Sequence, residues 1–305
     1  MKIVFAGSPA YAVPSLKKLI DGGKNVIAVI TQPDKPTGRK QILTPTPVKE
    51  YALSVGLPVY DFNKIKENVS VLESLQADIM ITCAYGQILT QPVLNCFKGG
   101  VWNLHASLLP KFRGASPIQS AILAGETHTG VTVMKTELDL DTGDILLVKR
   151  CEIGDMTCGE LSEKLSYLSA EAAVEAVELL EKGNVQLLVQ DEASATLCKK
   201  VNKLDAKIDF NGKAAHICRA IKAFSPAPAA FCTFNGSNLN ILNCEVLQEF
   251  EGKIGEVVRA DKHGIVVKCG EGAVNITELQ PAGGKCMKAA DFVNGRKIKV
   301  GDILE

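Results

Sequence analysis

Residues 78–105 read DIMITCAYGQILTQPVLNCFKGGVWNLH, and this stretch decides the fold. Its first seven residues form a nearly unbroken apolar run, the pattern of a strand buried on both faces. Residues 87–97 have helical spacing, with Pro92 near the start. Residues 100–105 are extended again. Strand, helix and strand in so short a span form a crossover unit whose two strands lie parallel. The same rhythm continues upstream: a strand at 2–6, a helix at 10–20, an apolar strand at 25–31, a helix at 48–55, a short strand at 58–60 and a helix at 69–76. The expectation is an α/β fold, a Rossmann-like open and mostly parallel sheet covered by helices.

In such sheets ligands gather beyond the carboxyl ends of the strands. Asn103 and His105 stand at one such end, and the period-two alternation of a strand points both to the same side. An amide and an imidazole placed there can donate hydrogen bonds to an oxygen on which negative charge develops, a geometry suited to acyl-type chemistry. The turn Leu138-Asp139-Leu140-Asp141-Thr142-Gly143-Asp144 supplies carboxylates able to orient or charge the histidine, and Asp139, Asp141 and Asp144 are all open choices. Between them, Ser107-Leu108-Leu109-Pro110 offers a hydroxyl, two apolar side chains and a stiffening proline, half a pocket for a flat heterocycle. The acidic turn departs from the calcium-loop pattern, since Thr142 occupies a ligand position and no glutamate follows at the required distance. No metal is expected. The turn after the first strand, Gly7-Ser8-Pro9, lacks the later glycines of a dinucleotide fingerprint, and no phosphate-binding P-loop occurs. Hydride transfer and nucleotide hydrolysis are therefore disfavoured.

The chain has 305 residues, 46% hydrophobic and 22% charged, with a formal net charge of zero. That balance fits a globular protein with room for two domains, and it confines any nucleic-acid contact to local basic patches. Ten cysteines contain no C-x-x-C pair, and four histidines are scattered. The cysteines read as reduced, mostly buried small hydrophobes. The first residues lack a signal-peptide pattern, and no stretch approaches 18 apolar residues. A cytoplasmic protein that does not engage membrane is the expectation.

Further on, a helix is expected at 117–124 and two strands at 130–137 and 145–152, joined by the acidic turn. A long amphipathic helix follows at 160–182 with Leu161, Leu165, Leu168, Ala172, Ala176 and Leu179 along one stripe. After about residue 190 the character changes. A connector carries Lys199, Lys200, Lys203 and Lys207, a helix spans 211–223, and five short strands follow between 229 and 279. These strands suggest a small Greek-key barrel of the OB type. The expected organisation is a domain at 1–189, a basic linker at 190–208 and the OB-like domain at 209–305. Residues 32–47 form a long loop without structure of its own, made basic by Lys35, Arg39, Lys40 and the nearby Lys49. Loops of this length are usually functional or disordered, and as a basic finger this one can reach a nucleic-acid phosphate or base.

Taken together, the motifs resemble those of the folate-dependent formyltransferase family, and specifically its tRNA-acting branch. They are FAGSP at 5–9, TQPDKPTGR at 31–39, TPTPVK at 44–49, AYGQIL at 84–89, NLHASLLPKFRGASPIQ at 103–119, GVTVM at 130–134 and LDTGDIL at 140–146. The Asn-x-His and Leu-Asp-x-Gly set is shared across the family; the 31–49 loop and the C-terminal barrel narrow the acceptor. The resemblance implies transfer of a formyl group from 10-formyltetrahydrofolate to the α-amino group of methionine on initiator Met-tRNA, by a monomer. It implies catalytic roles for Asn103, His105 and Asp141. Ser107, Leu108, Leu109 and Pro110 carry over as the folate-contacting segment, with Ile88 and Leu89 near the pterin. Lys35, Arg39, Lys40, Lys203 and Lys207 become tRNA contacts, Arg39 foremost. Two other readings stand beside it. One is a formyltransferase acting on a small amine such as an amino sugar nucleotide. The other is a non-catalytic RNA-binding protein, against which Phe231 and Phe234 fall in a strand pattern that also suits a core.

Overall fold

The computed structural model describes residues 1–38, 41–183, 185–248 and 250–305. Two compact units emerge. The first comprises Met1–Pro117, His128–Glu152 and Ser162–Cys198, and the second Ile118–Thr127, Ile153–Leu161 and Lys199–Glu305.

The first unit contains β1 (Ile3–Gly7), β2 (Val26–Thr31), β3 (Lys35–Thr37), β4 (Ile42–Thr44), β5 (Val59–Asp61), β6 (Ile79–Cys83), β7 (Val101–His105), β8 (Arg113–Gly114), β9 (His128–Lys135), β10 (Ile145–Glu152) and β11 (Leu197–Cys198). Seven of these form one sheet in the order β10-β9-β7-β6-β1-β2-β5. Its β5 to β7 portion is parallel, and β9 enters antiparallel to β7. The central strands β1 and β6 are buried at every residue, which is why they read as unbroken apolar runs rather than alternating ones. Helices α1 (Val13–Asp21), α2 (Pro47–Ser54), α3 (Val69–Ser74) and α4 (Gln91–Asn95) connect the parallel strands. One apolar cluster holds Val4, Ala28, Ile30, Leu72, Met80, Val93 and Phe97.

Two local expectations need correction. The helix expected over 87–97 is confined to Gln91–Asn95. Pro92 has no N–H and fits only the first helical turn, so the helix begins one residue before it. Gly86 is left-handed at φ +81°, and Gln87 is engaged elsewhere: its side chain accepts from Ile65 N–H at 2.8 Å and donates to Phe62 O at 2.8 Å. The loop expected over 32–47 is also partly ordered, because β3 and β4 pair as an antiparallel hairpin.

In the second unit, β12 (Ala230–Phe234), β13 (Ser237–Leu247), β14 (Val257–Asp261), β15 (Gly264–Lys268), β16 (Ala273–Pro281) and β17 (Met287–Lys288) form an antiparallel sheet in the order β12-β13-β16-β15-β14, with β17 beside β16. The chain's last residues join its two edges. Glu305 N–H donates to Thr233 O at 2.9 Å on β12, and Leu304 N–H donates to Gly255 O at 2.8 Å just ahead of β14. The sheet thereby curls toward the barrel expected from its strand spacing. Phe231 and Phe234 are buried with Ile241, Ile265 and Ile276, so neither is available for stacking on a base. Helix α7 (Ala214–Phe224) contributes Ile217, Ile221 and Phe224 to the same core. A short helix α8 (Ala289–Asn294), absent from the sequence reading, adds Phe292. Helix α5 (Pro117–Ala124) falls where the sequence places it.

The 25-residue helix α6 (Cys158–Lys182) begins with a reciprocal cap. Glu160 accepts from Thr157 N–H and from its hydroxyl, both at 2.8 Å, and Glu160 N–H faces the Thr157 hydroxyl at 3.4 Å. This is a capping box. The Thr157 backbone N–H, then its hydroxyl, hold the Glu160 carboxyl below the usual carboxylate range. A carboxyl lowered on folding stabilises above its unfolded pKa, and the contribution is lost as pH falls through the native value. Thr157→Ala is expected to cost about 1 kcal/mol in denaturant unfolding near neutrality, and that cost should shrink on acidification to about pH 3. An unchanged unfolding midpoint at neutral pH would show that the cap does not contribute.

Candidate active site

The site is built at the carboxyl end of β7, held between β6 and β9. Thr82 of β6 lies in register with Asn103, and Thr132 of β9 with His105. The Thr82 hydroxyl donates to Asn103 Oδ1 at 2.9 Å. That bond commits the oxygen end of the amide and leaves its two N–H hydrogens for a ligand. Thr82 escaped the sequence reading because a threonine inside a strand is ordinary; only the register reveals it.

His105 is buried at 6% exposure. Its Nδ1 lies 3.6 Å from Asp141 Oδ2, and its Nε2 lies 2.9 Å from Phe112 O. Both ring nitrogens thus face oxygen acceptors, and only an imidazolium can donate to both. His105 and Asp141 are therefore brought together, with Asn103 two residues earlier on the same strand, and the Nε2 side of the histidine is engaged by the loop. Of the three aspartates of the turn, Asp141 is the one whose carboxylate meets the histidine.

Asp141 is held by more than the histidine. Its Oδ2 accepts from Gly114 N–H at 2.8 Å. Its backbone is left-handed, φ +54°, a conformation that aspartate tolerates better than most residues. The Gln190 amide holds the turn there, donating to Asp141 O at 2.9 Å and to Gly143 O at 2.7 Å. The Gln190 oxygen accepts in turn from Arg113 Nε at 3.1 Å and Nη2 at 2.9 Å. Arg113, 4% exposed, also forms a two-pronged pair with Glu192 at 2.9 and 2.7 Å. The Glu192 hydrogen bond raises the guanidinium, and Arg113 holds the Glu192 carboxyl below its usual range. Neither Gln190 nor Glu192 carries a motif that sequence could have flagged.

The 107–114 loop is pinned along its length. The Thr132 hydroxyl donates to Ser107 O at 2.7 Å and accepts from Leu109 N–H at 3.1 Å. Ser107 Oγ donates to Lys111 O at 2.6 Å, and Leu109 packs with Met134 and Ile145. Ser107 and Leu109 are thus spent inside the loop, while Leu108 and Pro110 remain half-buried. Strand β11 pairs with β8, and Thr196 adds a bond to Phe112 N–H at 2.8 Å. At the open end of β6, Ile88 is 85% exposed and Leu89 is buried.

The basic residues are scattered. Lys35 lies exposed on β3, where it donates to Gln32 Oε1 at 2.8 Å. Arg39 and Lys40 lie outside the described residues. Lys49, counted toward the loop's positive charge, is neutralised by Asp34 at 2.8 Å and Asp61 at 2.7 Å, whose hydrogen bonds raise its pKa. Lys203 and Lys207 are exposed in the second unit.

Comparison with known proteins sharpens this picture. Residues 1–177 match the family model described as formyl transferase, and residues 200–297 match that of the formyl transferase C-terminal domain. A methionyl-tRNA formyltransferase of Coxiella burnetii is 42% identical over 304 residues, covering 98% of this chain and 97% of the relative. Among solved structures, HypX from Aquifex aeolicus in complex with tetrahydrofolic acid superposes with a TM-score of 0.70 at 18% identity; it covers 99% of this chain, which spans 48% of HypX. An N-formyltransferase from Helicobacter canadensis, bound to folinic acid and dTDP-3-aminofucose, gives a TM-score of 0.69 at 19% identity, covering 90% of this chain and 99% of its own. At these identities the two structures share the fold.

Gly114 gives a direct test of the loop. It is at φ +122°, and a Cβ there would lie 2.3 Å from Cys198 O. Gly114→Ala must move either β11 or the N–H that holds Asp141. Strain and overpacking at such a position typically cost about 1–3 kcal/mol, so a thermal midpoint several degrees lower is expected. A midpoint equal to that of the parent would contradict the close approach.

Proposed function

Taking as premise that the chain belongs to the formyl transferase family, and within it to the methionyl-tRNA formyltransferases, we propose that it formylates the methionine α-amino group of initiator Met-tRNA, drawing the formyl group from 10-formyltetrahydrofolate. The observation that carries the chemistry lies at the end of β7, where the His105 imidazole faces the Asp141 carboxylate and the Asn103 amide, held by Thr82, stands two residues earlier on the same strand.

A folate fits what the residues offer. Ile88 presents apolar surface beyond β6, and half-buried Leu108 and Pro110 stand beyond β7. These walls would hold a flat ring, with Ser107 and Leu109 shaping the segment from within. When bound, the folate supplies an activated formyl group. Attack by the amine on the formyl carbon drives charge onto the formyl oxygen. Asn103 donates to that oxygen through Nδ2, its orientation fixed by Thr82. His105 adds positive charge beside it, and its Nε2–H is released from or shared with the Phe112 carbonyl. One such donor is typically worth about 3 kcal/mol. Asp141 keeps the imidazole paired and, through water, takes the proton that the attacking amine sheds. As the oxyanion collapses, the bond between the formyl carbon and the folate N10 breaks, and that nitrogen takes a proton back through the same water to leave as tetrahydrofolate.

The acceptor end is assigned by family. Lys35 on β3, Arg39 and Lys40, which follow it in the sequence, and Lys203 and Lys207 further along are the proposed tRNA contacts. In this reading the N-terminal part, with residues 190–198 bracing its site, carries catalysis, and the C-terminal part binds tRNA, in a cytoplasmic monomer. No described helix is long and apolar enough to cross a membrane.

Asn103→Ala, His105→Ala and Asp141→Asn are each expected to lower kcat roughly a hundredfold or more while leaving folate affinity near the parent value. Near-parental turnover would remove that residue from the mechanism. With both charged initiator tRNA and an amino sugar nucleotide on offer, N-formyl product should form on the tRNA; product on the sugar alone would favour a small-amine enzyme. Apparent tRNA affinity should fall linearly on a log–log plot against salt, and a flat response would argue against phosphate contacts.

A further inference from the structure

The Arg113–Gln190–Glu192 cluster lies behind the catalytic aspartate and touches no reacting atom in the mechanism above. Gln190 is 6% exposed and every polar atom of its side chain is used. Its Nε2 bridges the carbonyls of Asp141 and Gly143, on either side of Thr142. Its Oε1 is gripped by two nitrogens of one guanidinium, which is itself gripped by Glu192. Burying an amide and a guanidinium is costly unless every donor and acceptor is paired, so the cluster stabilises one arrangement and penalises neighbouring ones. The residue it fixes, Asp141, sits in a left-handed conformation, which persists only where the surrounding structure holds it.

We infer that Gln190 is a positioning residue for formyl transfer: by holding the Asp141 and Gly143 carbonyls it sets the Asp141 carboxylate against His105 Nδ1, with Arg113 and Glu192 locking its orientation. With the turn released, Asp141 relaxes toward right-handed backbone and its carboxylate swings away from both Gly114 N–H and His105. A group misplaced by about an ångström at a distance from the chemistry can cost up to a hundredfold in rate. The inference rests on the catalytic role proposed for Asp141, and it predicts that Gln190 matters only through that residue.

The test is a double-mutant cycle on kcat, with folate and tRNA KM measured in parallel. Gln190→Met keeps the volume and removes all four hydrogen bonds. It is expected to lower kcat roughly ten- to a hundredfold with little change in either KM. In the Asp141→Asn background it should lower kcat no further. If Gln190→Met lowers kcat by the same factor in both backgrounds, its role is general structural support and the inference is overturned. An unchanged kcat in the single variant overturns it too. If Asp141→Asn itself has near-parental turnover, the failure lies with the role given to Asp141. Should Gln190→Met not fold, Glu192→Ala serves in its place, since that side chain is 70% exposed. A two- to fivefold fall that disappears beside Asp141→Asn is then expected, and a fall that persists, or none, overturns the inference.

Discussion

A carboxylate set between a backbone N–H and an imidazole holds this site together. Asp141 Oδ2 accepts from Gly114 at 2.8 Å and lies 3.6 Å from His105. Three separate pieces of chain converge on that oxygen: the strand end, the loop that leaves it, and the turn between β9 and β10. Charge-assisted bonds of this kind are stronger than neutral ones, and burial raises the cost of leaving them unmade. The close packing of Gly114 on β11, the left-handed turn and the threonine pins on the loop all serve to bring those pieces to one point.

The sequence disclosed the frame of this arrangement and little of its bracing. Runs such as residues 25–31 and 78–84 announce buried parallel strands, and the alternation along 101–105 puts Asn103 and His105 on one face before any coordinates are known. Five of the six described strands of the second unit are legible from turn spacing; the two-residue β17 is not. The choice among Asp139, Asp141 and Asp144 needed either family likeness or the fold, because a short acidic turn has no periodicity to say which side chain points inward. Thr82, Thr132 and Gln190 were invisible for a related reason. Each acts through strand register or across 49 residues of chain, and neither kind of partnership leaves a local pattern. The apolar spacing over 87–97 extends beyond the helix at Gln91–Asn95 for a different reason: Pro92 belongs to a helix's first turn and sets where it starts.

The same bracing revises what the loop segment does. Ser107 and Leu109 looked like ligand contacts on composition, a hydroxyl and a greasy side chain beside a catalytic pair. In the fold the hydroxyl closes a turn onto Lys111 and the leucine fills a small core with Met134 and Ile145. Both are committed to the loop's own structure, while Leu108 and Pro110 are half-buried. Residues adjacent in one motif can thus be split between the loop's internal framework and its surface.

The pairing of β8 with β11 has a consequence for how the molecule comes into being. It joins residues 113–114 to 197–198, a much longer loop closure than the neighbouring pairing of β9 with β10. Long closures carry more entropy and yield their contacts later. On a ribosome, the parallel sheet and the histidine emerge first, and the segment around Gly114, whose N–H anchors the aspartate, gains its β11 partner, through Arg113 and Ala115, only when residue 198 has left the exit tunnel. The scaffold for catalysis precedes its alignment, so an unfinished chain holds the right groups without the geometry to use them.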